Sequence, residues 1–197
     1  MIADPIEIVT LPATGPVSLA ELKSHLQLNR SDDDADLALF LAAAVEMWEF
    51  ETQRPTILTG YRQRSRFISG FLYDTPIRLA RGKVVAVTSV TYVSPAGSTV
   101  ALTDYRSDSA SPIYCLHAPI AGWPPVDPNA IQPVTINFTA GWANAAAVPP
   151  DVKVAIRMLA AHWYAFRDAY QASFEMRETP EGFRRVANKY RLNVGIV

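Results

Sequence analysis

The sequence predicts an α+β fold: an N-terminal helix hairpin and a long C-terminal helix form a helical body, with an inserted small antiparallel β-sheet module and a C-terminal tail. Three observations predict it. Residues 16–55 carry two helical apolar stripes in succession. Residues 56–140 break into short alternating runs, and most of the fifteen prolines lie between Thr75 and Pro150, where they punctuate strands. Residues 134–167 then pass from strict alternation, VTINFTAGW, into one long helical pattern, DVKVAIRMLAAHWYAFR. The expected layout is an arm over 1–15, one domain over 16–173 with helices at 18–28, 33–52 and 151–173 and a β module at about 56–140, and a tail over 174–197.

Each element has a local cause. IEIVTL, from Ile6, alternates and has no partner nearby in sequence, so it reads as an extended arm. Ser18 and Glu21 form a capping box, in which each residue satisfies an orphan donor of the other. Leu19, Leu22 and Leu26 make the first stripe. Asp32, Asp33 and Asp34 put negative charge at the start of the second helix, where the helix dipole favours it. Its stripe is Leu37, Phe40, Leu41, Ala44, Val45 and Trp48, and Arg54-Pro55 ends it. Strands follow at 56–71, 76–79, 84–94, 98–102, 105–107 and 113–117, with Pro95-Ala96-Gly97 turning the third into the fourth.

Gly122-Trp123-Pro124-Pro125 is a loop with Trp123 as its anchor. In the central strand Val134, Ile136 and Phe138 share one face, and Gly141 ends it. Pro149 and Pro150 preset the entry of the long helix, with Asp151 in its first turn. Val152, Ile156, Leu159, Trp163 and Phe166 make one stripe, and Ala155, Met158, Ala160 and Tyr164 a second, which calls for a central position. The expected helical core is Leu22, Leu26, Phe40, Leu41, Val45, Trp48, Ile156, Leu159 and Trp163. After Thr179-Pro180 a short amphipathic segment carries Phe183, Val186, Ala187 and Tyr190 on one face. That face is too small to hold a helix alone. The tail is therefore expected to be mobile in a free subunit and to order on a partner; the rival arrangement folds it onto the acidic second helix of its own subunit.

Composition narrows the function. Of 197 residues 49% are hydrophobic, ample for a core; the net charge is −1 and the pI about 6.3, so no global field recruits nucleic acid. A single Cys115 excludes an internal disulfide and a cysteine zinc site, and fits a reducing compartment. The first fifteen residues show no basic-then-apolar leader, and no run approaches eighteen apolar residues, so neither signal peptide nor membrane span is expected.

No catalytic constellation emerges. His25, His117 and His162 sit on three elements with no carboxylate at ligand spacing, so they read as ordinary core or surface histidines rather than ligands. Phosphate-binding glycine loops and nucleophile elbows are missing. Asp32 to Asp36 is acidic like a calcium loop but lacks its glycine and distal glutamate. Arg62, Arg64 and Arg66 alternate on one strand face, either a partner-facing stripe or a solvated sheet face. Residues 31–51 hold seven carboxylates and no lysine or arginine; residues 177–191 hold five cations against Glu178 and Glu181. Such a pair suits head-to-tail contact between copies or an oppositely charged partner, and equally suits pairing within one subunit.

Four stretches, taken together, resemble the head–tail connector family of long-tailed phages and gene transfer agents. They are PVSLAELKSHLQLNRSDDDADLALFLAAAVEMWEFETQRP at 16–55, IRLARGKVVAVTSVTYVSPAGSTVAL at 77–102, GWPP at 122–125, and VTINFTAGW with VPPDVKVAIRMLAAHWYAFRD within 134–168. They follow the family's order and cover most of 16–168. The resemblance implies a virion protein at the head–tail junction, assembled in the host cytoplasm, with no enzyme activity and no cofactor. It implies a ring, of twelve subunits, seated beneath the portal protein. The ring prolongs the DNA channel without reading sequence and presents a surface to a stopper or tail-completion protein. With that resemblance, Phe183, Arg184, Arg185, Lys189, Tyr190 and Arg191 are the expected portal-binding residues. Asp32, Asp33, Asp34, Glu49, Arg62, Arg64 and Arg66 are the expected subunit–subunit contacts. The competing expectation is a small-ligand or carbohydrate-binding accessory module, prompted by Trp123, Trp142, Trp163 and many tyrosines.

Overall fold

The computed structural model describes residues 5–66, 75–111, 113–119, 121–166 and 179–192. The chain forms two compact units: a β unit within residues 5–12 and 58–141, and a helical unit within 13–57 and 142–192. The α+β class is as the sequence predicts.

The helical unit holds α1 (Leu19–Leu26), α2 (Asp34–Thr52), α3 (Pro150–Ala165) and α4 (Glu181–Tyr190). The capping box forms: the Glu21 N–H donates to Ser18 Oγ at 3.2 Å and the Ser18 N–H to Glu21 Oε2 at 2.7 Å. That Ser18 N–H is the chief influence on Glu21 and draws its carboxyl below the usual range, against the opposing effect of burial. Of the expected core, Leu22, Leu41, Trp48, Ile156 and Leu159 are buried, while Leu26, Phe40, Val45 and Trp163 pack half-buried around them. The apolar all-round pattern of α3 is met, since it packs against α1, α2 and α4. The last part of the helix expected over 151–173 lies outside the described residues.

The sequence leaves the segment after Pro180 without a place in the core; the structure supplies the missing side. Phe183 is only 1% exposed and meets Trp48 edge-on at a centroid separation of 6.2 Å, and Ala187 is buried beside it. Tyr190 lies against both Trp48 and Trp142. The Leu192 N–H donates to Thr52 O at 2.9 Å, Arg54 Nε to Tyr190 O at 2.6 Å, and Arg191 pairs with Glu51. A ten-residue helix whose stripe cannot hold it alone is held by Trp48 of α2, more than 130 positions earlier, and by Trp142.

The β unit has a five-stranded antiparallel sheet in the order β1-β2-β8-β4-β5 and a three-stranded one in the order β3-β7-β6. Their ranges are β1 Ile6–Thr10, β2 Thr59–Ser65, β3 Ile77–Arg78, β4 Val84–Val93, β5 Thr99–Ala101, β6 Arg106–Asp108, β7 Cys115–His117 and β8 Val134–Ala140. The expected arm at Ile6 is thus an edge strand, with Ile6 opposite Gln63 and Ile8 opposite Tyr61. Sequence alone cannot pair strands 50 residues apart. β8 is central, in unbroken register with β2 from Thr59↔Ala140 to Ser65↔Val134. Its buried face is Val134, Ile136, Phe138 and Ala140, and Gly141, at φ 118°, ends it. Tyr61 stacks on Phe138 at 5.6 Å. The buried Gln63 donates through Nε2 to Arg78 O and accepts from the Ala80 N–H, both at 2.9 Å, which ties the strand to the segment after β3.

Candidate interaction surfaces

The three histidines lie on three separate elements, α1, β7 and α3. Among the described residues no group of three His, Cys, Asp or Glu could hold a metal ion. His25 is exposed, His117 sits on β7, and His162 rests against Phe166 at 4.9 Å. Cys115 is buried, and burial pushes its thiol up, away from the thiolate a nucleophile needs. No described helix is long and apolar enough to cross a membrane. The tryptophans serve the core: Trp48 and Trp142 are buried in the helical core, Trp163 packs half-buried against that core, and the half-buried Trp123 donates through Nε1 to Thr75 O at 3.4 Å.

The acidic cluster is mostly engaged within the unit. Asp33 Oδ2 accepts from the Tyr164 hydroxyl at 2.6 Å and from Arg30 at 2.9 Å. Asp34 pairs with Lys23 at 2.7 Å. Glu49 accepts from the Thr56 N–H at 2.8 Å and its hydroxyl at 2.9 Å, and so pins the chain leaving α2. Asp32 is exposed. The arginine stripe lies where alternation places it. Arg62 donates to Asn137 Oδ1 at 3.1 Å across the β2–β8 pair and meets Glu7 at 3.1 Å. Arg64 meets the same Glu7 at 3.6 Å, and Arg66 donates through Nε to Ile131 O at 2.9 Å. Arg62 is half-buried, while Arg64 and Arg66 are exposed.

The six residues expected at a portal divide sharply. Phe183 is core. Tyr190 and Lys189 both bond Asp151, with Lys189 Nζ at 2.8 Å from its Oδ2. Burial pushes the Asp151 carboxyl up, but the bonds from Lys189, Tyr190 and the Val152 N–H outweigh it and hold the group below its ordinary value. Arg191 is taken by Glu51. Arg184 and Arg185 stay exposed, with only a long bond to Thr179 Oγ1 and a loose i,i+4 pair to Glu181. The fold-back arrangement is the one found, and the seven-carboxylate segment of α2 is its counterpart through Glu51.

No protein-family model matches the sequence, and no curated protein is similar to it. Solved structures do share its fold. One is a chain from the neck of an empty gene transfer agent (GTA) particle, computed with C6 symmetry: 24% identity, TM-score 0.73, covering 95% of each chain. This is the fold of a chain from a gene transfer agent neck. A chain from the virion of a native GTA particle follows, with 25% identity, TM-score 0.72 and 94% of each chain. A third, from the neck of a native GTA particle computed with C12 symmetry, has 25% identity, TM-score 0.66 and 94% of each chain. The resemblance read from four sequence stretches is thus met by likeness along nearly the whole chain.

Proposed function

We propose that this chain is a structural subunit of the neck of a phage-like particle of the gene transfer agent type, located at its head–tail junction. The observation that carries the reading is the end-to-end likeness: the match to a chain of the native GTA virion, and to one of the native GTA neck, covers 94% of this chain and 94% of that one. The finer reading is an adaptor ring beneath the portal that extends the DNA channel and joins the head to a stopper or tail-completion protein. Twelve copies satisfy both the sixfold and the twelvefold symmetry in which the similar necks were computed. A nearly neutral chain suits such a lumen, because a surface that bound many phosphates would hold the DNA it must let pass. Arg184 and Arg185, the exposed cations of α4, meet an acidic portal surface, while Phe183, Lys189, Tyr190 and Arg191 hold the helix that presents them.

The test adds purified chain to DNA-filled heads that lack it and images the junction by electron microscopy. A ring beneath the portal and recovery of tail attachment are expected. A chain that stays monomeric and leaves heads bare overturns the reading. Arg184→Glu with Arg185→Glu is expected to abolish attachment at an unchanged melting temperature; full attachment would remove the portal role from α4.

A further inference from the structure

α2 is apolar on both sides. Its inner face, Leu37, Leu41, Ala44 and Trp48, is buried. Its outer face, Ala35, Leu39, Ala42, Glu46 and Phe50, is exposed, with Leu39 at 67% and Phe50 at 72%. At 3.6 residues per turn Leu39, Glu46 and Phe50 fall in one line about 16 Å long. A helix apolar all round is normally covered all round, and large exposed apolar side chains in line mark a contact surface. Nothing on α2 from Ser31 to Gln53 is cationic, so its occupant is apolar with a positive rim.

The β unit carries such a surface. β1 is an edge strand of the five-stranded sheet, and Ile8, Val9 and Leu11 are all more than half exposed. On β2, Arg62 lies opposite Glu7 and the Arg64 N–H donates to Pro5 O; these two arginines share the Glu7 carboxylate, and Arg66 follows along the same face. The edge is apolar and net positive, and no lysine or proline within Ile6–Thr10 blunts it.

We propose that the outer face of α2 in one copy docks on the β1–β2 edge of the next copy, with Leu39 and Phe50 against Ile8, Val9 and Leu11, and Glu46 facing Arg64. The two surfaces are different patches of one chain, so the contact is heterologous and repeats head to tail until the ring closes. A closed ring, the arrangement that the C6 and C12 symmetry of the similar necks supports, is built by repeating such a contact between neighbours. The inference rests on the neck reading and names the interface that reading leaves open. Of the expected subunit contacts it keeps Arg62, Arg64 and Arg66. It moves the acidic side from Asp33, Asp34 and Glu49, already bonded within their subunit, to Glu46.

Native mass spectrometry of the chain, assembled alone or on heads that lack it, tests this. Leu39→Glu with Phe50→Glu is expected to convert ring to monomer with the melting temperature unchanged, since both side chains are exposed. Glu46→Arg alone and Arg64→Glu alone should each weaken the ring, and the two together should restore it. A ring that persists in the double-glutamate variant overturns this surface while the neck reading stands. Failure of the charge swap to restore assembly overturns the pairing with β1–β2. A wild-type chain that assembles under neither condition overturns the neck reading and this interface together.

Discussion

The two units bury their chemistry in different ways. In the β unit the core is made by neighbours in register: Tyr61 on Phe138, Gln63 beside Ile136, Ser65 beside Val134. Each pair follows from the one before it, because a strand that keeps its register keeps its face. In the helical unit the core is closed by one late segment. α4 brings Phe183 and Ala187 to Trp48, and a set of polar bonds from Arg54, Arg191 and Leu192 fastens its far end to the end of α2. One core is local in its logic and the other depends on a contact across most of the chain. Stability in the second is therefore concentrated in few residues.

Phe183→Ala breaks that contrast most directly. It empties a fully buried site beside Trp48 and is expected to cost about 3–5 kcal/mol in chemical denaturation. Removing residues 179–197 should go further and lower the melting temperature by about 10 °C or more, given a loss of that size in a chain of this length. An unchanged melting temperature in the truncation would show that α4 is an appendage rather than part of the core. The matching change in the β unit is Phe138→Ala, also about 3–5 kcal/mol. Hydrogen exchange separates the two: Phe183→Ala should deprotect α2 and α4, and Phe138→Ala should deprotect β2, β4 and β8.

Gln63→Leu sharpens the comparison at a lower magnitude. The buried amide of Gln63 satisfies both Arg78 O and the Ala80 N–H. Leucine fills the volume but leaves those two backbone groups unpaired, for about 1–3 kcal/mol. A loss below about 0.5 kcal/mol would mean that water replaces the amide at no cost.

Legibility followed the same division. β8, the β4–β5 hairpin, α2 and α3 were visible because period and punctuation are local properties: alternation at 134–140, Pro95 to Gly97, the caps at Ser18 and Pro149-Pro150. β1 was visible as extended chain but not as an edge strand, since its partner Gln63 lies 57 positions on. The α4 segment was visible as an amphipathic stretch, yet its four apolar residues carry no signal that Trp48 completes them. The arginine stripe was legible as a stripe; that Glu7 bridges two of its members required the β1–β2 register. The outer face of α2 was written in the sequence at Leu39 and Phe50, but exposure, not periodicity, marks those residues as surface. The clean inner stripe at Leu37, Leu41 and Trp48 had already accounted for the helix.

The smallest expected effect is electrostatic and sits where the late helix meets α3. Asp151 Oδ1 and Oδ2 accept from Tyr190, Oδ2 accepts from Lys189, and the Val152 N–H donates to Oδ1 at 2.9 Å. Burial raises the carboxyl, the bonds outweigh it, and its folded value lies below the unfolded one. A depressed carboxylate contributes stability that is present above its unfolded pKa and lost as pH falls through the folded value. Lys189 is shifted the other way, up, by the bond it donates to Asp151, so its part is present through neutral pH and lost only as pH rises through its raised value. The window of full effect therefore spans mildly acidic to mildly alkaline pH. Both side chains are well exposed, with Lys189 at 65% and Asp151 at 35%, so solvent screens most of the attraction. Asp151→Asn is expected to lower the melting temperature slightly at pH 7, and variant and wild type should converge as pH falls through the depressed folded value of Asp151, where both side chains become neutral. Added salt should shrink the difference at pH 7. A gap that stays constant from pH 7 down through acid titration of the carboxyl would assign the effect to the neutral hydrogen bonds from Tyr190 and Val152, not to charge.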